Sequence, residues 1–388
     1  MDFDLTEEQR LLRDSVDRLI DDAYGDFDKR RAYAAEPNGF SAALWTRFAE
    51  LGLLGLPFAE ADGGYGGGPV ETMLVMEAIG RGLALEPYLS TVVLGGGFVR
   101  LGGNDAQRRR LLPRIADGSL RLAFAHTERQ ARYDLFDVAT TARAEGGGFV
   151  LDGAKSVVLH GDSADLLVVG ARLSGARRDR AGIGLFLVDA GAQGVTRRSY
   201  PTQDGQRAAE ITLEHVRVPA DAMLGAPGDG LALIGRVTDT AIAALCAEAV
   251  GAMAALHALT VDYLKTRKQF GVPIGSFQAL QHRAADMLVA LEQARSMAMY
   301  AAMMADAPDA AERHIAMAAA RVQIDDSARM VGQAAIQLHG GIGMTQEYKA
   351  GHYFKRLTMI GMMFGDTDHH LRAVAEAGGL AGDAGPDA

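Results

Sequence analysis

Residues 263–283 read YLKTRKQFGVPIGSFQALQHR, and this stretch lies between two apolar stripes of helical period. Upstream, Leu245, Ala249, Met253, Leu256, Leu259 and Tyr263 recur at helical spacing; downstream, Leu280, Ala284, Met287, Leu291, Ala294 and Ala298 do the same. Gly271, Val272 and Pro273 mark the turn between them. Long helices joined by a short connection run antiparallel and bury their stripes in a bundle. The connection also carries Arg267 and Lys268 beside Phe270, followed by Phe277 and Gln278. A guanidinium, an aromatic ring and an amide gathered at one turn can hold a pyrophosphate, stack on a purine and hydrogen-bond to it. The same residues also suit an ordinary helix–helix connection, and their chemistry alone leaves both readings open.

A third, Ala-rich helix is expected over roughly 310–338, and it runs into QLHGGIGMTQEY, residues 337–348. Gly340, Gly341 and Gly343 there let the backbone come close to something flat or charged. Before Pro227 the period changes. VATTARAEGGGFVLDGAKSVVL, LLVVGARL, IGLFLV and AEITLEHVRV are β-branched runs separated by turn residues, with Asp152-Gly153 as the expected hairpin turn. Short strands in this style predict an antiparallel barrel or sandwich rather than βαβ units. The N-terminal third is helical again, opened by the capping pair Thr6 and Gln9 and punctuated by the Gly63–Gly68 loop. The expected organisation is an N-terminal helical domain at 1–121, a middle β-barrel domain at 122–226, a C-terminal helical bundle at 227–376 and a disordered tail at 377–388.

Bulk properties remove several functions. The 388 residues carry a net charge of −10, which argues against a nucleic-acid partner, whose binding needs a basic face. The acidic start MDFDLTEEQR has no apolar core, so no signal peptide is expected. No uninterrupted apolar run reaches membrane-spanning length, so a cytoplasmic protein without a membrane partner is expected. Cys246 is the only cysteine, which leaves no disulfide and no cysteine metal cluster, and it reads as a buried, inert thiol. No metal site is expected, because His369 and His370 are adjacent and point about 100° apart on a helix. The chain has no G-x-G-x-x-G, no G-x-x-x-x-G-K-[ST], no H-E-x-x-H and no G-x-S-x-G.

Taken together, YLKTRKQFGVPIGSFQ, QLHGGIGMT, LPFAEADGGYGG near residue 60 and AFAHTE at 123–128 resemble the acyl-CoA dehydrogenase family over about residues 1–375. The resemblance implies that family's α+β multidomain fold and FAD held between the middle and C-terminal domains and completed by a second subunit. On this likeness Arg267, Phe270 and Gln278 would hold the diphosphate and adenosine part, and Gln337 and Gly341 would touch the same half. Phe124 and Thr127 would lie along the flavin ring, and Thr367 near the diphosphate. The implied chemistry removes two hydrogens from an acyl-CoA thioester, one as a proton to a carboxylate base and one as hydride to flavin. The implied partners are an acyl-CoA, an electron-transfer flavoprotein and further subunits of the same or a related chain.

The chain departs from the family at the base. Where many members read Tyr-Glu-Gly-Thr, this one has Phe364, Gly365, Asp366 and Thr367, so glycine stands at the carboxylate position. The alternative base position in the first bundle helix aligns with Ala241. Asp366 is the nearest candidate base, but its place before a helix start favours an N-cap. Asp239 and Glu248 are weaker candidates. Val157-Val158-Leu159 stands where a Trp-Ile-Thr step is usual. This pattern resembles the small-subunit type of bacterial two-component members such as pimeloyl-CoA dehydrogenase. It implies dehydrogenation within a mixed assembly, with a non-catalytic FAD-site-completing subunit, or a flavin reductase or oxidase needing no α-proton base, as alternatives.

Overall fold

The computed structural model describes residues 5–378, so the expected tail lies outside the described residues apart from Ala377 and Gly378. In chain order the helices are α1 (Glu7–Tyr24), α2 (Phe27–Ala34), α3 (Ala42–Glu50), α4 (Pro69–Gly82), α5 (Gly97–Gly102), α6 (Asp105–Ala116), α7 (Gly230–Thr266), α8 (Gln278–Met304), α9 (Ala310–His339), α10 (Lys349–Ile360) and α11 (Thr367–Glu376). The strands are β1 (Leu122–Ala125), β2 (Thr141–Glu145), β3 (Gly148–Leu159), β4 (Leu166–Arg172), β5 (Ile183–Asp189), β6 (Val195–Pro201), β7 (Arg207–Pro219), β8 (Met223–Leu224), β9 (Lys268–Gln269) and β10 (Val272–Pro273). They gather into two units, one from Met1–Arg30, Pro69–Ala84 and Ile242–Ala388, the other from Arg31–Gly68 and Leu85–Ala241.

The first unit is helical. α1 begins with the expected box: Thr6 Oγ1 accepts from Gln9 N at 3.2 Å, and Gln9 Oε1 accepts from Thr6 N at 3.0 Å. α7, α8 and α9 carry the predicted stripes, and α8 buries Met287, Leu291, Ala294 and Ala298 as expected. Small residues set how closely these helices pack. A Cβ on Gly80 of α4 would lie 1.9 Å from the Glu248 carbonyl oxygen of α7, and one on Gly251 only 1.8 Å from the Glu77 carbonyl oxygen. The two backbones therefore touch, and Arg356 of α10 binds the adjacent Glu248 carboxylate through Nε at 2.6 Å and Nη2 at 2.8 Å. Glu248 is thus an interhelix partner rather than a base. Charged residues such as Arg236, Asp239, Glu248 and Asp262 interrupt the longest apolar helix, as expected. α7 is a 37-residue helix apolar enough to cross a membrane, and 72% of its most apolar window is buried, as in a core helix.

The second unit is built on a mixed sheet ordered β6-β7-β3-β2-β4-β5-β8, with β1 added parallel to β4. Alternate residues of β3, β4, β5 and β7, such as Leu151, Leu167, Val169, Phe186, Val188 and Ile211, form one core. The hairpin is displaced from its expected turn. β2 and β3 are joined by Gly146-Gly147, with φ of 60° and 83°, which sets Glu145 opposite Gly148. A two-residue turn of this kind needs positive φ at both positions, which two glycines supply and Asp152-Gly153 does not. Gly153 lies inside β3 at a register shift, where Asp152 Oδ1 accepts from His215 N at 2.7 Å.

The α4–α7 crossing leaves no room for a methyl group, so Gly251→Ala is expected to cost about 2 kcal/mol or more in a denaturant titration. A loss below roughly 0.5 kcal/mol would show that the two helices are free to separate.

Candidate functional site

At one end of the helical unit, α7 and α8 are joined by a hairpin in which β9 pairs with β10. Phe270 (φ 54°) and Gly271 (φ 81°) form its turn, and Ile274 N donates to Arg267 O at 2.8 Å to close it. Phe270 is a non-glycine residue held at positive φ with its ring 91% exposed, an arrangement costly in isolation. Arg267 and Gln278 are exposed beside it. The end of α9 comes to the same place, because the Tyr263 and His339 rings lie 4.7 Å apart. Gln337 is exposed there, and Cβ atoms on Gly340 or Gly341 would meet nothing within 4 Å. Five of the expected residues, Arg267, Phe270, Gln278, Gln337 and Gly341, therefore gather at this end of the bundle. Cation, ring, amide and open glycine backbone fit one half of a dinucleotide.

Thr367 is elsewhere. Its Oγ1 accepts from Arg329 Nη2 at 3.2 Å, and Arg329 precedes Gln337 by eight residues, about 12 Å along α9. One copy of the chain does not bring Thr367 to the hairpin group.

In the sheet unit, Phe124 of β1 stacks on His126 with centroids 5.3 Å apart and planes 3° apart, and packs against Phe98 at 4.5 Å. Thr127 is exposed, and its carbonyl accepts from Ser156 N at 2.8 Å. Beside it runs a buried ion pair that the sequence reading missed: Lys155 Nζ to Glu128 Oε1, 2.7 Å. Burial lowers the Lys155 ammonium to about 8. Burial alone would raise Glu128, but the Lys155 charge and hydrogen bonds from its neighbours bring it down to about 2. Glu210 accepts from Ser156 Oγ at 3.0 Å, Tyr200 Oη at 3.0 Å and Val157 N at 3.4 Å, which holds Val157 at φ 53° and 49% exposed. A lysine inside the β-branched run 154–159 was the one signal that could have found this network.

The loop between α10 and α11 contains Phe364 (φ 58°) and Gly365 (φ 124°). Asp366 N-caps α11, its Oδ1 accepting from His369 N at 2.9 Å. Beneath the loop lies Arg321, whose side chain is fully buried and donates to the carbonyls of Ile360 and Met363. Its Nε stands 3.4 Å from Asp325 Oδ1. Burial outweighs this cation and raises Asp325 to about 6. Asp325, Arg329, Gln333, Met362, Asp366 and Thr367 are among the residues lining a cavity of about 500 Å³. Of the other candidates, Ala241 and Asp239 are buried along α7. Cys246 is buried, and burial pushes its thiol up to about 12. Among the described residues no group of three His, Cys, Asp or Glu could hold a metal ion.

Family models for the N-terminal, middle and C-terminal domains of acyl-CoA dehydrogenase match residues 6–119, 123–216 and 228–379. The chain belongs to the acyl-CoA dehydrogenase family, whose members are FAD-dependent enzymes that dehydrogenate acyl-CoA thioesters. It is 33% identical to the probable acyl-CoA dehydrogenase YngJ of Bacillus subtilis, over 90% of this chain and 92% of that one. Among solved structures it is similar to a chain of the ChsE4–ChsE5 complex from Mycobacterium tuberculosis (TM-score 0.85, 26% identity, covering 97% of this chain and 98% of that one). It is also similar to the FAD complex of PigA (TM-score 0.89, 27% identity, 98% and 100%).

Asp325 gives the loop a pH signature. Its folded pKa of about 6 exceeds the ordinary 3.8, so the folded state holds the proton between those values. The stability it lends is complete below about pH 4 and is lost as pH rises through 6. Relative to the parent, Asp325→Asn should therefore gain about 2–3 kcal/mol between pH 4 and pH 7 in urea titrations. Parallel curves for the two proteins would refute the assignment.

Proposed function

We propose that this chain serves FAD-dependent α,β-dehydrogenation of an acyl-CoA as one subunit type of a mixed assembly. The observation that carries the reading is that the Phe364-Gly365-Asp366-Thr367 step offers no uncommitted carboxylate. Gly365 has no side chain, and the Asp366 carboxylate accepts the first-turn amide of α11 through Oδ1. An acyl-CoA α-proton needs an acceptor oriented within hydrogen-bond reach, and a cap oxygen already bonded to an amide is a poor one.

The remaining residues have defined roles on this reading. Bound FAD would supply the hydride acceptor. Arg267 offers charge to its diphosphate, Phe270 a ring for stacking and Gln278 an amide for hydrogen bonding, while Gly341 admits close backbone approach. Phe124 and Thr127 would face the flavin ring, and Thr367 the diphosphate. That Thr367 sits away from the other five bundle residues supports sites shared between subunits, as does the 91% exposure of Phe270. The ChsE4–ChsE5 neighbour is itself a complex of two named chains. An electron-transfer flavoprotein would reoxidise the cofactor, and the reaction would run in the cytoplasm.

The test is anaerobic reduction. The purified chain alone should leave its flavin oxidised with butyryl-CoA, octanoyl-CoA or palmitoyl-CoA, and bleaching should appear after co-expression with a paralogue bearing Glu at the base position. Bleaching by the chain alone would overturn the mixed assembly. Asp366→Asn should leave any turnover of the assembly unchanged. Asp366→Ala should cost about 1 kcal/mol of stability through the lost cap. A drop in turnover of about 100-fold or more with Asp366→Asn would make Asp366 the base after all.

A further inference from the structure

The missing carboxylate is bound up with a buried histidine. Gly365 has a φ of +124°, a conformation that side chains rarely adopt. A Cβ built on it would stand 2.6 Å from His370 Nε2, 3.0 Å from His370 Cε1 and 2.6 Å from His369 Cδ2. His369 is partly exposed. His370 is only 1% exposed, in the first turn of α11, the helix that packs along α9. Its charged or titratable neighbours are Arg321, His369, His314 and Asp366, and burial with the Arg321 charge lowers the imidazole to about 3, so it stays neutral. Neither ring nitrogen makes a hydrogen bond among the described residues. The ring is therefore held by shape, in the space a side chain at 365 would enter.

We propose that His370 is a positioning residue whose ring fills the volume next to Gly365 and fixes that glycine in its positive-φ form, so that the loop cannot host a proton-accepting carboxylate at position 365. The proposal rests on the reading that position 365 is where the family's base stands. Under it, the loss of the base is built into the packing, and restoring the carboxylate by one substitution does not restore the site. Any base for the reaction must then stand at a position other than 365.

A double-mutant cycle on the full-length flavoprotein tests this, with Gly365→Glu, His370→Ala and the double variant read in two ways. Thermal melting reports the packing, with flavin content followed by absorbance. Uptake of deuterium at Cα of butyryl-CoA and octanoyl-CoA in heavy water reports proton abstraction without requiring electron transfer. Gly365→Glu alone should lower Tm by several degrees and leave exchange at background. The double variant should recover about half or more of that loss and raise exchange about 10-fold or more. His370→Val offers a milder truncation should His370→Ala fail to fold. Equal cost of Gly365→Glu with and without the His370 truncation would overturn the proposal, as would exchange by Gly365→Glu alone. Recovery of Tm without exchange would uphold the packing lock and instead sink the reading of 365 as the base position.

Discussion

The C-terminal site depends on one buried cation. Arg321 is fully buried on α9, where its guanidinium bonds the last carbonyl of α10, Ile360, and that of Met363 in the loop beyond. A charge so placed is tolerable only if its surroundings answer it. Asp325 one turn along the helix answers it in part, at 3.4 Å. Two backbone carbonyls add to this through Nη2, tying α9 to the end of α10 and to the loop beyond it, while Nε and Nη1 make no hydrogen bond among the described residues. His370 beside this cation is kept neutral by burial first and by the Arg321 charge second.

The sheet unit repeats this logic with a lysine. Lys155 and Glu128 form a fully buried pair at 2.7 Å, and the carboxylate also accepts the amides of Ala139 and Thr140. Such a pair adds little net stability over a hydrocarbon core, but breaking one side leaves an uncompensated charge. It therefore ties the end of β1, the 139–140 segment and β3 to one arrangement, and the exposed Thr127 is carried on it. Glu210 does the same for Val157 through three donors.

Helix stripes, capping boxes and the α–β–α order were legible because each is set by residues a few positions apart. The 263–283 turn was legible as a functional candidate because its residue types are unusual together, and Arg267, Phe270 and Gln278 do share one connection. The hairpin turn was misread, since Asp152-Gly153 and Gly146-Gly147 are both local turn signals. Only pairing across β2, β3 and β7 decides between them. Length and apolarity alone could not show that α7 is a core helix, because that depends on what covers it.

The sequence by itself determined the family, the glycine at position 365 and the capping role favoured for Asp366, since motif, residue and cap are all properties of contiguous residues. Tertiary structure alone decided that Glu248 is bound to Arg356, that Asp325 and Arg321 share a buried wall of the loop, and that His370 occupies the space beside Gly365. Glu248 and Arg356 are 108 residues apart, Arg321 reaches a carbonyl 39 residues on, and the burial of His370, though it is close to Gly365 in the chain, depends on the packing of α11 along α9. Burial and Coulomb interactions act on distance in space, and no local pattern in the chain encodes that distance.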